Sequence, residues 1–180
     1  VERILESAER IMSFTRNLLT YARPSKEEAQ PLAINDVVEE AVGFCEHLIR
    51  DSRVSIERDF ATDLPKVNAV PGQLHQVFVN VITNACNAAD ERGGLIRLRT
   101  GLVGHDQIRI DVEDQGVGIA PSDLDRVFEP FFSTRRRGQG TGLGLSIVKS
   151  IVERHQGRIE IHSQTGKGTL VQITVPCADS

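Results

Sequence analysis

The stretch HQVFVNVITNACNAA, residues 75–89, decides how the rest of the chain is interpreted. Its apolar residues recur at helical spacing and predict a helix from about Gly72 to Glu91. They centre on one face, which we assign to the core: Leu74, Val77, Phe78, Val81, Ile82, Ala85, Ala88 and Ala89. A helix with such a face needs a sheet or further helices to cover it.

A row of four side-chain amides follows a different face of this helix: Gln76, Asn80, Asn84 and Asn87. At about 100° per residue they fall within an arc of roughly 80°. The row is either an ordinary solvated face or a surface that contacts a ligand or ion. Charged residues are usual on a solvated helix face, yet no Asp, Glu, Lys or Arg occurs from Leu74 through Ala89. The row therefore favours a binding surface, because amide oxygens suit Mg²⁺ and amide nitrogens suit phosphate oxygens.

Helical and strand patterns alternate on both sides of this helix. We expect, in order, a helix at about 35–50, strands at 54–60 and 66–70, the amide-bearing helix, strands around 96–98 and 108–112, a short helix near 122–127, a helix at 143–156, and strands around 159–161 and 171–175. This proportion predicts an α/β (α+β) two-layer sandwich, in which a mixed β-sheet packs on helices.

Local signals predict where several of these elements begin and end. Asn35 has the character of an N-cap for the helix at 35–50. Gly93 and Gly94 are expected to end the amide-bearing helix, and Gly157 is expected to cap the helix at 143–156 in the left-handed conformation. The turn of the final hairpin is expected at residues 165–168.

Residues 1–22 have the sequence pattern of a helix. Apolar or small side chains recur there in alternating steps of four and three, at Ile4, Ala8, Ile11, Thr15, Leu18 and Ala22. This heptad seam predicts a helix that needs a partner, either its own domain or a bundle shared with a second subunit. We expect Pro24 to end this helix, and we therefore expect a bundle helix at 1–24, a linker at 25–34 and a catalytic domain at 35–180.

Bulk composition limits the classes of protein that fit. The 180 residues carry a net charge of −4, which gives no electrostatic support for nucleic-acid binding. The three cysteines follow no disulfide or metal-ligand pattern, which agrees with a reducing cytoplasm. No stretch approaches the roughly 20 apolar residues that span a bilayer. The chain starts inside an apparent helix, so we expect a longer parent protein whose other segments decide any membrane attachment.

Two glycine-rich loops frame the C-terminal half. Residues 114–119, DQGVGI, follow a strand and are either a simple turn or a place where a ligand approaches the backbone. Residues 140–146, GTGLGLS, lead into a helix whose first N–H groups favour an anion. The dinucleotide fingerprint GxGxxG in a βαβ unit and the pattern GxxxxGK[ST] are both absent. Between the loops lies FEPFFST (128–134), whose phenylalanines are either core residues or site residues. The arginines at 135–137 are either a solvated run or a group that neutralises phosphate charge.

Taken in order, these segments resemble the histidine-kinase members of the ATPase superfamily that also contains gyrase, MutL and related chaperones. Residues 75–89 resemble the N box, 114–119 the first glycine box, 128–134 the F box, 140–146 the second glycine box and 165–169 the final glycine turn. The likeness covers residues 32–176. The NAxxA form and the segment RGQGTGLGLSI resemble the nitrogen-regulation-type branch of sensor kinases.

The resemblance implies roles at the matching positions. Asn84 would hold Mg²⁺, while Asn80 and Asn87 would contact phosphates or the shell of the ion. Asp114 would accept a hydrogen bond from the adenine amine, and Thr169 would support the base. Gln76 would assist the phosphoacceptor, with Asn80 as the second catalytic residue. The remaining ATP contacts would come from Gly116, Gly118, Ile119, Phe132, Thr134, Arg135, Gly140, Thr141, Gly142, Leu143, Gly144 and Leu145.

The sequence departs from the family pattern at three points. Asn87 stands where a basic or aromatic residue is usual, and Arg135 where Lys is common. None of the five histidines lies in the acceptor motif, an acidic residue directly after His followed by Arg or Lys and Pro: His47, His75, His105, His155 and His162. We therefore expect the acceptor His on a helix upstream of Val1, and residues 1–22 as the second helix of that bundle.

The function implied is that of the catalytic domain of a two-component sensor histidine kinase. The parent protein would transfer the γ-phosphoryl of ATP to a His on the upstream helix, for relay to an Asp of a response-regulator receiver domain. It would be a cytoplasmic homodimer through the bundle, and this chain alone would not autophosphorylate. Two alternatives stay open: an ATPase of the gyrase or MutL kind, and a degenerate kinase-like module that binds a partner.

Overall fold

The computed structural model describes residues 28–89, 93–134 and 141–178. The predicted bundle helix at 1–24 lies outside the described residues, as do Arg135 and Gly140 of the predicted ATP site. The described residues form these elements in chain order: β1 (Gln30–Leu32), α1 (Ile34–Phe44), α2 (Glu46–Asp51), β2 (Val54–Phe60), β3 (Val67–Ala69), α3 (Pro71–Ala88), β4 (Gly94–Val103), β5 (Gln107–Asp114), α4 (Pro121–Leu124), α5 (Gly144–Arg154), β6 (Arg158–Gln164) and β7 (Gly168–Pro176).

The main sheet is mixed, with five strands in the order β2-β4-β5-β7-β6. Strands β2 and β4 run parallel, and the other neighbouring pairs are antiparallel. A separate two-stranded antiparallel sheet joins β1 to β3. The mixed sheet that the sequence predicts is confirmed.

Helix α3 lies at the centre of the helical layer and packs against α1 on one side and α5 on the other. Its buried face contains the predicted residues Leu74, Val77, Phe78, Val81, Ile82 and Ala85. The sheet meets this face with Ile96, Leu98, Ile108, Ile110 and Ile173, which belong to the same buried cluster. Burying each large side chain of this kind contributes roughly 1.5–3 kcal/mol. The helices therefore form one layer on one face of the sheet, and the predicted two-layer sandwich is confirmed.

Strand register brings three polar side chains to one end of the sheet. Asp114 is directly opposite Thr169 in the β5–β7 pair, and Ser163 is opposite Thr169 in the β6–β7 pair. Residues in register on neighbouring strands share a face of the sheet. That face is the helical side, because Ile110 and Val112 precede Asp114 along the buried alternation of β5.

The predicted linker at 25–34 is partly wrong. Residues 30–32 form β1, which pairs with β3, and helix α1 already begins at Ile34. The folded domain therefore begins before residue 35. Local composition does not reveal β1, because its pairing partner lies more than thirty residues further along the chain.

The predicted N-cap at Asn35 is also wrong. The residue before α1 is Ala33, which makes no side-chain cap. Asn35 lies within the helix, where its Nδ2 donates to the carbonyl of Ala61 at 3.0 Å and its Oδ1 accepts from the Thr100 hydroxyl at 2.8 Å. Its side chain joins the helix to the residue that follows β2 and to β4, a role that depends on tertiary contacts.

Two helix ends differ from their predictions. The left-handed residue after α5 is Gln156, with φ of 57°, while Gly157 has no positive φ. Gly157 is instead needed for space, because a Cβ there would lie 2.4 Å from the carbonyl of Thr174. Helix α3 ends at Ala88, so Gly93 and Gly94 lie beyond it, and Gly94 begins β4. The helix expected at 35–50 is broken at Cys45 into α1 and α2.

Candidate functional site

The amide row of α3 is not on the core face. Gln76, Asn80 and Asn84 are half-buried, and Asn87 is exposed near the C-terminal end of the helix. The burial of the row therefore decreases toward the C-terminal end of the helix. This is the environment expected of polar groups that line a cleft, where a ligand completes their hydrogen bonds.

Asn80 carries the clearest sign of an incomplete environment. Its Nδ2 atom is buried and has no hydrogen-bond partner within the part of the chain that the structure describes. A buried donor without a partner costs about 1–3 kcal/mol. Such groups are rare in folded proteins, so a ligand acceptor is the simplest explanation for this one.

The start of α5 faces the same amides. A Cβ at Gly144 would lie 3.7 Å from Asn84 Nδ2 and 4.0 Å from Asn80 Oδ1. No side chain caps this helix, and its first turn contains no acidic residue. The first N–H groups of a helix have no partner inside the helix and attract anions. The start of α5 and the amide row therefore lie side by side, so an anion bound at the helix start would also lie near these amides.

Asp114 is the buried acid of the site. It is 7% exposed, and its Oδ1 accepts the N–H of Gly116 at 2.8 Å and that of Thr169 at 3.3 Å. Burial raises the pKa of its carboxyl above the ordinary value, and the two backbone hydrogen bonds oppose that rise. The other oxygen, Oδ2, accepts no hydrogen bond from the described residues. A buried carboxylate with one oxygen fixed and one available is suited to bind a ligand N–H group.

The first glycine box is tied to the turn of the final hairpin. Gly166 donates its N–H to the carbonyl of Val117 at 2.8 Å, and Thr165 Oγ1 donates to the carbonyl of Ile119 at 3.4 Å. Gly118 has φ of +68°, and a Cβ there would lie 2.2 Å from the carbonyl of Gln164. This position therefore requires glycine both for its conformation and for the close approach of the hairpin.

Sequence reasoning missed Ser163, which joins these two segments. Its Oγ accepts the N–H of Ile119 at 2.8 Å and lies 2.9 Å from Thr169 Oγ1. A signal was present, because Ser163 continues the alternation of Ile159 and Ile161, the inward-facing residues of β6. A polar residue at an inward position of a strand needs a hydrogen-bonding reason to be there.

The F box meets the base of the second glycine box. Phe131 donates its N–H to the carbonyl of Gly142 at 2.9 Å, and a Cβ at Gly142 would lie 2.4 Å from the carbonyl carbon of Phe131. Thr141 Oγ1 accepts the N–H of Leu143 at 3.3 Å. Phe131 is 67% exposed. The Arg126 guanidinium stacks over the ring of Phe132, with Cζ 4.4 Å from the ring centroid. These two phenylalanines are therefore not core residues, and Phe131 instead contacts the second glycine box.

The remaining predicted residues differ in their cover. Leu143 is buried, Ile119 and Leu145 are half-buried, and Thr134 is exposed.

Among residues 28–89, 93–134 and 141–178, no group of three or more His, Cys, Asp or Glu side chains is placed to hold a metal ion. An ion held by Asn84 would thus depend on ligand oxygens for the rest of its coordination. This fits Mg²⁺, which keeps few protein ligands and binds largely through phosphates and water.

The histidines have other surroundings. His155 contacts the carbonyl of Ile151 through Nδ1 at 2.8 Å, and its Nε2 accepts the N–H of Val70 at 3.1 Å. His75 packs edge-on against Phe44, His47 lies beside Asp51, and His162 lies beside Glu160.

A depression of about 430 Å³ on the outer face of the sheet, lined by Arg109, Arg158 and Gln172 among others, contains none of the predicted site residues.

The fold belongs to the class of ATP-binding α/β sandwiches. Residues 69–179 match the family described as "Histidine kinase-, DNA gyrase B-, and HSP90-like ATPase", and the chain belongs to that family.

The curated relatives compared with this chain are named as kinases. The chain is 32% identical over 173 residues to sporulation kinase E of Bacillus subtilis, covering 96% of this chain and 23% of that protein. It is 32% identical over 171 residues to sensor histidine kinase ZraS of Salmonella typhimurium, covering 95% of this chain and 36% of that protein. The chain thus spans between about a quarter and a third of the length of these two relatives.

Solved structures of histidine kinases share the fold. The catalytic domain of histidine kinase ThkA has a TM-score of 0.73 at 28% identity, over 83% of this chain and 96% of that one. Full-length ShkA in complex with AMPPNP has a TM-score of 0.83 at 24% identity, over 97% of this chain and 37% of that one. Within the described residues, no helix has the length and apolar character needed to cross a membrane.

Proposed function

We propose that this chain is the ATP-binding catalytic part of a sensor histidine kinase. The observation that carries the proposal is the Asn80 side-chain amide, whose buried Nδ2 has no hydrogen-bond partner among the described residues and which lies beside the glycine at the start of α5. A ligand with phosphate oxygens satisfies both features, since such oxygens accept from the amide and from the N–H groups of α5.

The adenine end of the site would lie at Asp114. Its Oδ2 would accept a hydrogen bond from the exocyclic amine of the base. Thr169, on the neighbouring strand β7, would contact the same end of the ring. Gly116, Gly118 and Ile119 provide the backbone wall. The F box, Arg135 and the second glycine box would contact the phosphates, and the residues involved are Phe132, Thr134, Arg135, Gly140, Thr141, Gly142, Leu143, Gly144 and Leu145.

Mg²⁺ would be held by the Asn84 side-chain oxygen, with Asn80 and Asn87 contacting phosphates or the shell of the ion. The ion, when bound, neutralises charge that develops on the transferring phosphoryl group. Gln76 lies one turn before Asn80 and orients the incoming acceptor, because an amide can position a nucleophile although it is a poor base. Catalysis on this plan is mostly positioning and electrostatic stabilisation.

The phosphoryl acceptor would be a His on a bundle helix upstream of Val1. We propose that residues 1–24 are the second helix of this dimerisation bundle, that a linker follows, and that the receiver domain of a response regulator takes the phosphoryl group onward. The likeness to the sensor kinases supports this, since it covers 95–96% of the chain and so extends beyond the matched ATPase domain. A cytoplasmic homodimer follows from the same proposal, with any membrane segment in the parent protein.

Two measurements test the proposal. Calorimetry on this chain should detect ATP binding that strengthens with Mg²⁺, and the absence of binding would instead support a degenerate partner-binding module. A chain extended upstream should incorporate labelled phosphate from ATP that is acid-labile and base-stable, as expected of phosphohistidine. ATP turnover by the extended protein with no such phosphate would support an ATPase of the gyrase or MutL kind, which the sensor-kinase relatives do not favour.

A further inference from the structure

The hydroxyl of Ser163 lies where the first glycine box meets the final hairpin. The N–H of Ile119 donates to its Oγ at 2.8 Å, the carbonyl oxygen of Gly168 is 2.8 Å away, and Thr169 Oγ1 is 2.9 Å away. All three distances are ordinary hydrogen-bond lengths. The positions of the protons therefore follow from counting donors and acceptors.

A serine hydroxyl has one proton to donate and two lone pairs that accept. A carbonyl oxygen cannot donate, so the contact between Ser163 and Gly168 uses the only proton of Ser163. The N–H of Ile119 takes one lone pair. The contact between Ser163 and Thr169 then needs the proton of the Thr169 hydroxyl. Thr169 thus donates to Ser163, and its own oxygen can only accept from anything else.

The neighbouring acid has the same character. Asp114 Oδ1 is occupied by two backbone N–H groups, one of them from Thr169 itself. Its Oδ2 accepts nothing from the described residues, and an ionised carboxylate cannot donate. Asp114 and Thr169, directly opposite each other on β5 and β7, therefore both present acceptors to a ligand. An edge with an amino group pairs with them, whereas an edge with an oxo group places oxygen lone pairs against oxygen lone pairs.

We propose that Ser163 is a positioning residue that sets nucleobase specificity. By holding the proton of the Thr169 hydroxyl, Ser163 keeps Thr169 an acceptor, and the site then prefers a 6-aminopurine nucleotide to a 6-oxopurine nucleotide. The inference rests on the proposed ATP function and adds a residue to it that does not touch the base. A purely structural role for Ser163, tying residue 119 to the hairpin, would instead weaken both nucleotides to the same extent.

The test compares the binding of ATP and inosine triphosphate, which differ at the 6-position and its neighbouring ring nitrogen, to the same chain by calorimetry. In Ser163→Ala the Thr169 hydroxyl is released and can turn its proton toward an oxo group. We expect the preference for ATP to fall by about fivefold or more, the equivalent of one neutral hydrogen bond. An unchanged ratio, with both nucleotides weakened equally, would overturn the proposal.

Two further variants isolate the mechanism. In a Thr169→Val background, Ser163→Ala should leave the nucleotide ratio unchanged, because the hydroxyl that Ser163 orients is gone. A ratio that still changes there would show that Ser163 acts without Thr169. Ser55→Ala is the matched control. Ser55 lies on β2, the edge strand opposite β6, and its hydroxyl also donates to a backbone carbonyl, that of Gly94 on β4. It should leave the ratio at the wild-type value.

Ser163→Cys keeps the shape of the side chain and replaces the hydroxyl with a weakly hydrogen-bonding thiol. It takes the place of Ser163→Ala if that variant is unfolded at the assay temperature, and the same fall in the ATP preference is expected. If the wild-type chain binds neither nucleotide, the ATP function itself fails. If the wild type prefers ATP but both Ser163 variants keep the full ratio, only the role of Ser163 fails.

Discussion

Thr169 donates its backbone N–H to Oδ1 of Asp114 at 3.3 Å, across the register that places these two residues opposite each other on β7 and β5. This bond fixes one oxygen of a buried carboxylate and leaves the other available. It also explains why a charged residue is tolerated at 7% exposure in a position where strand alternation would otherwise place an apolar side chain.

Asp114→Asn should separate binding from stability. The Asn Oδ1 can still accept the N–H groups of Gly116 and Thr169, while Nδ2 replaces the acceptor that the adenine amine needs. We expect ATP affinity to fall at least about 10-fold, the loss of a charged hydrogen bond of about 1.5–3 kcal/mol. The midpoint of thermal unfolding should stay at or above the wild-type value, because a buried charge is removed. Unchanged ATP affinity in calorimetry would make Asp114 a turn residue only.

ATP binding should depend on the ionisation of Asp114. Burial raises the pKa of this carboxyl above its ordinary value, so the folded protein keeps the proton to higher pH than the unfolded chain does. The contribution of Asp114 to stability therefore falls as pH rises from about 4 through the raised pKa, whereas its ability to accept from adenine rises over the same window. Calorimetry at several pH values should show ATP affinity increasing there. Asp114→Asn should lose this part of the pH dependence, and a variant that retains it in full would place the titration elsewhere.

Asn80→Leu should stabilise the free protein and abolish its ligand contact. The buried Nδ2 without a partner costs about 1–3 kcal/mol, and leucine has nearly the shape of asparagine without the polar atoms. We expect a higher midpoint in urea unfolding and much weaker ATP binding. A lower midpoint would mean that the amide is satisfied in the free protein.

Asn84→Ala tests the proposed Mg²⁺ ligand. If the Asn84 oxygen holds the ion, the variant should bind ATP equally well with Mg²⁺ and with a chelator, at the weaker of the two wild-type affinities. Asn68→Ala is the matched control, because it removes an exposed side-chain amide from β3, outside the amide row. That control should retain the response to Mg²⁺, and an Asn84 variant that also retains it would exclude this residue as the ligand.

Gly118→Ala should destabilise the domain by more than about 1 kcal/mol. The residue has φ of +68°, and the new Cβ would lie 2.2 Å from the Gln164 carbonyl, so the glycine box and the hairpin turn must move apart. Gly101→Ala is the control, since nothing lies within 4 Å of its Cβ position. Urea unfolding of the control should stay within about 0.5 kcal/mol of the wild type. Equal stability of the two variants would contradict the close contact at Gly118.

The sequence by itself determined the elements that rest on local periodicity. Six of the eight residues predicted for the apolar face of α3 are buried, because a helix repeats every 3.6 residues and the core selects one face. Ala88 and Ala89 are half-buried, and Cys86 is buried although it was not predicted. Strand β2 was predicted with its observed bounds, and the turn between β6 and β7 was placed correctly. The order of the glycine boxes and the amide row likewise needed no structure, because each is a short continuous segment.

Only the tertiary structure decided what depends on distant partners. Asn35 bonds to Ala61 and Thr100, Gly157 meets the carbonyl of Thr174, and β1 exists because β3 pairs with it. Ser163 belongs to this group too, since its proton is accounted for only when Ile119, Gly168 and Thr169 converge on it. Hydrogen bonds between residues that are far apart in the chain leave no periodic trace in the sequence, so the direction in which the Thr169 hydroxyl points could be found only from the folded arrangement.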